Sequence, residues 1–168
     1  MNNKLVSLLV IIGLFALTSG CSEPKPDGMP ELYPVKLTFT QEGKPLVGAS
    51  VLLVPESEEL RRWGCGGLTD ASGVIHLRTY GKYDGIAVGK YKITVSLIYS
   101  DAEEELKKHA SDSPEYRALS TKNPPNQYIP KKYVDKKTTP FEIEVVAGKN
   151  AKTFDIPEKV KESQISGL

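Results

Sequence analysis

Gly43–Pro55 reads G-K-P-L-V-G-A-S-V-L-L-V-P, Gly67–Thr79 reads G-L-T-D-A-S-G-V-I-H-L-R-T, and Gly89–Leu97 reads G-K-Y-K-I-T-V-S-L. Together they predict strand, turn, strand, turn, strand. In the last segment Tyr91, Ile93, Val95 and Leu97 alternate with Lys92, Thr94 and Ser96, the period-two pattern of a half-buried strand. In the middle segment Ile75 and Leu77 read inward, His76 and Arg78 outward. The strand from Ala49 to Val54 is apolar at Leu52 and Val54 as well as at Val51 and Leu53, which predicts cover on both faces. Gly43 with Pro45 predicts one reversal. Asp70 with Gly73 predicts another, because a short carboxylate accepts from the backbone two residues on and glycine accepts a left-handed conformation.

Working outward, Val35–Thr40 predicts a strand with Val35, Leu37 and Phe39 inward. Ser57 is placed to cap a short helical turn through Glu58–Arg62. Leu68-Thr69 reads as a short strand and Tyr80–Val88 as a loop. Asp101–Tyr133 is long for a connection, since structureless loops beyond about 12–15 residues are uncommon, so partial order is expected. Acids at Glu103–Glu105 before Lys107 and Lys108 predict a helix over about Asp101–His109, with Glu104 and Lys108 as an i,i+4 pair. Ser113 is placed to cap a second turn over Pro114–Leu119. Pro140–Ala147 and Ala151–Ile156 read as the closing strands, with Phe141, Ile143, Val145, Phe154 and Ile156 inward. Glu158–Leu168 reads as a polar tail.

These segments carry a resemblance. G-K-P-L-V-G-A-S-V, T-D-A-S-G-V-I-H-L and G-K-Y-K-I-T-V, followed by Pro130–Tyr133, Thr139-Pro140, Val145–Asn150 and Phe154, resemble the carboxypeptidase regulatory-like domain. The resemblance covers roughly residues 35–156. It implies an all-β, Ig-like or transthyretin-like antiparallel sandwich of about seven strands, here with a partly helical insertion. What it implies of function is a binding or accessory role, with no activity and no cofactor. The chain is also too short for a carboxypeptidase together with such a module.

The first residues point to a compartment. Lys4 precedes a short apolar run, Leu5–Leu17, and then Thr18-Ser19-Gly20-Cys21. A charged start, a short apolar run and small residues before a cut describe a secretory signal rather than a membrane span. The cysteine at the cut resembles a bacterial lipobox. That implies cleavage after residue 20 and acylation of Cys21, although Thr18 stands where leucine is usual. The alternative is a secreted chain with Cys21 paired to Cys65. Ser22, by resemblance to lipoprotein sorting, favours the outer membrane over the inner. Residues 21–34 hold Pro24, Pro26, Pro30 and Pro34 and read as an extended tether that stands the domain off the bilayer.

Net charge is +1 over the whole chain, and removal of residues 1–20 takes away Lys4 and no acid, leaving 21 bases against 21 acids. A neutral chain is a poor candidate for binding nucleic acid. Neither histidine, His76 or His109, is expected near Cys65, so a thiol nucleophile lacks a base. With Cys65 they make three ligands at most, short of a structural zinc site. A purine-pathway hydrolase of transthyretin-like fold is excluded on its motifs: that family has paired histidines and ends Tyr-Arg-Gly-Ser, and this chain ends Gln-Ile-Ser-Gly-Leu.

Two binding surfaces remain. Trp63, Tyr80 and Tyr83 share one end of the expected sandwich. Either they form an exposed, coplanar platform for a glycan, making the chain a carbohydrate-binding module of the cell surface, or they cap the core. Tyr128, Lys131, Lys132 and Tyr133, with Lys136 and Lys137, offer contact with an acidic or glycan partner, or form an ordinary charged surface. The leading expectation is a non-enzymatic envelope lipoprotein, anchored through Cys21, that binds a protein or glycan partner.

Overall fold

A computed structural model describes residues 24–163. The expected signal segment, Cys21 and the last residues of the tail lie outside that range. The chain is an all-β sandwich. Its strands in order are β1 (Leu32–Tyr33), β2 (Val35–Gln41), β3 (Lys44–Pro45), β4 (Ser50–Pro55), β5 (Cys65–Leu68), β6 (Val74–His76), β7 (Arg78–Thr79), β8 (Tyr83–Asp84), β9 (Ile86–Ala87), β10 (Gly89–Ser96), β11 (Ile98–Tyr99), β12 (Asn126–Gln127), β13 (Glu142–Val145), β14 (Asn150–Ile156) and β15 (Glu162–Ser163). The helices are α1 (Glu103–Leu106), α2 (Pro114–Lys122) and α3 (Lys131–Val134). Among the described residues no helix is long and apolar enough to cross a membrane.

One sheet runs β13-β10-β4-β5-β7-β8, and the facing sheet joins β14 to β2, which also pairs with β3 and β6. Ile75 and Leu77 point inward as expected, yet the chain changes sheets between them: β6 pairs with β2 and β7 with β5. The strand at Leu68-Thr69 starts earlier, at Cys65, and the 80–88 loop contains two short strands. The core between the sheets is built from Leu37, Phe39, Val51, Ile75, Ile93, Val95, Val145 and Ile156, each almost wholly buried. Phe39 stacks on Phe154 at 5.3 Å, and Phe141 tilts against Phe154 at 4.7 Å.

The first and last long strands pair in parallel, from Asn150 opposite Val35 to Ile156 opposite Gln41. This departs from an all-antiparallel sandwich and follows from the alternation itself. Seven principal strands that reverse at each turn leave the first and the seventh pointing the same way. Burial corrects another expectation. Leu52 is 53% exposed, because the outer face of β4 carries no second layer.

Local chemistry explains the turns. Asp70 Oδ1 accepts from the backbone N–H of Ser72 at 2.8 Å and of Val74 at 2.9 Å. Gly73 follows at φ 74°, where a Cβ would meet the Phe39 carbonyl oxygen at 2.3 Å. Thr69 Oγ1 accepts from Ala49 N–H and donates to the Leu46 carbonyl, tying the same turn to the start of β4. Ser57 precedes a 3₁₀ turn at Glu58–Leu60 but makes no side-chain cap.

Two segments are more ordered than their composition implied. Part of the tether lies on the body: β1 pairs antiparallel with β9, Leu32 opposite Ala87. Part of the tail does the same, with β15 pairing β12 beside β11. By the strand register, the 56–64, 80–88 and 146–149 connections lie at the end where β1 docks. The insertion lies at the opposite end, together with the 42–49 and 69–73 turns.

Candidate functional site

At the tether end Trp63 is only 7% exposed. Its backbone N–H closes the 3₁₀ turn on the Leu60 carbonyl, the Arg62 guanidinium lies 4.5 Å over its ring, and Tyr80 packs at 5.6 Å with a 57° tilt. Tyr80, at φ 56° and half exposed, donates through its hydroxyl to the Arg62 carbonyl. Tyr83 donates to the Pro24 carbonyl at 3.2 Å. The three rings are neither coplanar nor jointly exposed. They brace the 56–64 loop and hold the tether, which removes the ring the glycan platform depended on.

Cys65 is buried between β4 and β7, and its thiol contacts the Leu53 carbonyl at 3.6 Å. Burial pushes the thiol up to about 12, so it stays protonated and unreactive. Among the described residues it makes no disulfide; a pairing with Cys21 falls outside them. A buried neutral thiol stabilises below the ordinary thiol value, and that contribution is lost as pH rises above it. In a Cys21→Ser chain at pH 8, a disulfide reagent is expected to label native Cys65 at least roughly a hundredfold more slowly than the urea-unfolded chain, because only opened molecules react. Equal rates would contradict the burial.

At the other end the insertion is fastened to the core. Tyr128 and Tyr133, candidates for surface contact, are instead buried. Tyr128 stacks face to face on Tyr99 at 3.9 Å and donates to Asp101, and Tyr133 packs on Phe141 at 4.8 Å. The basic stretch meets the tail: Lys132 pairs with Glu158 at 2.8 Å and Lys131 with Glu162 at 3.4 Å. Lys161 pairs with Asp101 as well. The two tyrosines turn into the body while Lys131 and Lys132 stay exposed, and the local sequence does not separate the two fates.

Asp101 is held below the ordinary carboxylate range, first by Lys161 and then by the Tyr128 hydroxyl. A depressed folded value means the contribution is present above the unfolded value and is lost as pH falls through the folded one. Amide exchange at Val160, whose N–H faces the Tyr128 carbonyl, is therefore expected to quicken below about pH 4 in the wild type relative to neighbouring sites. An Asp101→Asn chain should exchange fast at neutral pH too. An unchanged profile would contradict this latch.

Between α1 and α2 lies an open groove of about 430 Å³, walled by Leu106, Tyr116, His109 and Pro125, with Glu103 and Lys107 at its rim. The helices fit their sequences in part. Ser113 Oγ accepts from Tyr116 N–H, capping α2 as expected. The first helix is shorter than its charge pattern suggested, and its pairs are Lys107 with Glu103 and Glu104, and Lys108 with Glu105. The groove exists because α1 ends at Leu106 and the chain turns back through 107–113. Sequence reading missed it; its one signal was a few large apolar side chains, Leu106, Tyr116 and Leu119, in an otherwise polar stretch. Among the described residues no three His, Cys, Asp or Glu side chains are grouped to hold a metal ion. Comparisons with protein-family models, with curated proteins and with solved structures gave no match to this chain.

Proposed function

We propose that this chain is a lipid-anchored protein of the bacterial envelope, outer membrane rather than inner, whose sandwich is a non-catalytic binding module of the carboxypeptidase regulatory-like kind. Its anchor is Cys21, and its recognition surface is the α1–α2 groove of the insertion. The observation that supports this reading is how the groove is mounted. Ser100 Oγ donates to the Asn123 carbonyl across its base at 2.8 Å, and Ile129 and Tyr133 root the segment in the core. A groove held by a rigid body is what binding without a large ordering cost requires. Its apolar walls and mixed-charge rim suit a protein segment that inserts one or two apolar side chains, better than a sugar.

The test is photocrosslinking in intact envelopes. A photoreactive residue at position 116 is expected to capture a discrete protein partner. One at position 71, on the turn at the same end of the sandwich, is not. In a chain with Leu106→Asp, capture from position 120 in the same groove should fall about tenfold, as for loss of one anchoring contact. Identical capture at 116 and 71, or none at either, would contradict the groove as the site.

A further inference from the structure

We propose that the docked tether holds the 80–84 end of the sandwich directly against the bilayer, so that this surface is a lipid-headgroup contact and the insertion groove stands at a fixed height above it. The proposal rests on the lipid-anchor reading of Cys21.

The tether's composition, four prolines with little to bury, describes a spacer. Fully extended, residues 21–34 would hold the body about 40 Å from the membrane. The described part of that segment is instead laid on the domain. Tyr83 donates to the Pro24 carbonyl, Arg62 Nη2 donates to the Gly28 carbonyl at 3.1 Å, and Met29 N–H closes a turn on Pro26 at 3.1 Å. Leu32 and Tyr33 then pair with β9. The packing is close at two glycines. A Cβ on Gly28, at φ 74°, would meet Arg62 Nη2 at 2.8 Å, and one on Gly85, at φ 94°, would meet the Tyr33 carbonyl oxygen at 2.7 Å.

Only three residue steps separate Cys21 from Pro24. A chain advances at most about 3.6 Å per residue, so the two Cα atoms lie no more than about 11 Å apart. Acyl chains on Cys21 must sit in hydrocarbon, beneath an interfacial layer some 5–8 Å deep on each side. The residue that holds Pro24 is Tyr83, so the 80–84 hairpin comes within reach of the headgroups. What it shows there is a half-exposed Tyr80, Lys82 and, nearby, a half-exposed Val88 and Lys25. The half-exposed Tyr80 ring, its hydroxyl already held by the Arg62 carbonyl, offers lipid an aromatic face, and a lysine suits the interface because its alkyl stem meets lipid while its ammonium reaches water. Asp27, Glu56, Glu58 and Glu59 are exposed at this end too, so charge is not what holds it; the acyl chains and the docked tether do.

The height of the far end follows. β10 has eight residues, about 26 Å of strand. The insertion begins where β10 ends, so the groove faces away from the membrane, roughly one domain length above it.

The test uses the full chain purified from membranes, carrying Cys65→Ala and a fluorophore on either Lys82→Cys or Ala71→Cys, in phosphatidylcholine–phosphatidylglycerol vesicles with a nitroxide-headgroup lipid. Intact mass comes first. Loss of residues 1–20 with acyl mass on Cys21 is required, and an unmodified Cys21 overturns the lipid-anchor reading and this proposal with it. In acylated protein, several-fold stronger quenching at position 82 than at 71 is expected. A twenty-residue Gly-Ser insertion after Glu23, about 25 Å in root-mean-square length, should erase that difference. Equal quenching at the two positions, or a difference that survives the insertion, overturns the proposal and leaves the anchor standing.

Discussion

Phe39→Ala is expected to destabilise the fold by about 3–5 kcal/mol, the range for deleting a fully buried aromatic side chain. Phe39 has no exposed surface and contacts rings on two other segments, Phe154 on β14 and Phe141 just before β13. It also lies on β2, the strand that joins the sheet's parallel and antiparallel halves. Truncation removes the shared ring face and leaves a cavity that three different elements would have to move to fill. With about 2–4 °C per kcal/mol at this size, the midpoint should fall by roughly 10 °C. Thermal and urea unfolding of the two chains would measure it. A loss below about 1 kcal/mol would mean that the three rings do not form one packed unit.

Ile129→Ala should cost about 2–5 kcal/mol, far more than its place in a charged insertion suggests. The side chain is fully buried within the main core, one residue beyond the stacked Tyr99–Tyr128 pair. The backbone around it is fixed by Gln127, whose Oε1 accepts from the N–H groups of Leu97 and Tyr128. The insertion is therefore a continuation of the core at its 127–133 end and a surface feature only between α1 and α2. Tyr116→Ala, at the groove, should change stability by less than about 0.5 kcal/mol. Urea midpoints of the two variants separate these roles. Similar effects would mean that the insertion is either all appendage or all core.

That contrast marks how far the sequence could be read. Alternation placed Ile75, Tyr91, Ile93 and Val95 correctly, because strand burial depends on local period, and Asp70 and Gly73 announced their turn through their own backbone chemistry. Ser113 announced its cap in the same way. What failed depended on contacts distant in sequence. Leu52 looked buried because its neighbours were apolar, whereas exposure was decided by the absence of a second layer over that face. For Trp63 the sequence left a binding platform and a core cap both open, and its burial was decided by Arg62 and Tyr80 closing over it. Nor did proline content reveal that Pro24–Pro34 lies along the domain. The strand pairing at Leu32 and the hydroxyl of Tyr83 do that. The first long strand is covered by β14 on one side and by β3 and β6 on the other, a set of pairings that no local pattern in the sequence announces.

The same long-range contacts give the two ends of the sandwich different work. At one end side chains that resemble a ligand platform secure the tether. At the other the tail carboxylates pair with the exposed Lys131 and Lys132, and the groove proposed as the recognition surface lies between the helices.

The most direct measurement is the intact mass of the mature chain extracted from the membrane fraction of cells that express it. A chain beginning at Cys21 and carrying acyl mass on that residue is the predicted result. A chain that keeps residues 1–20, or one that begins elsewhere with an unmodified Cys21, would contradict the anchored reading on which the proposed function stands.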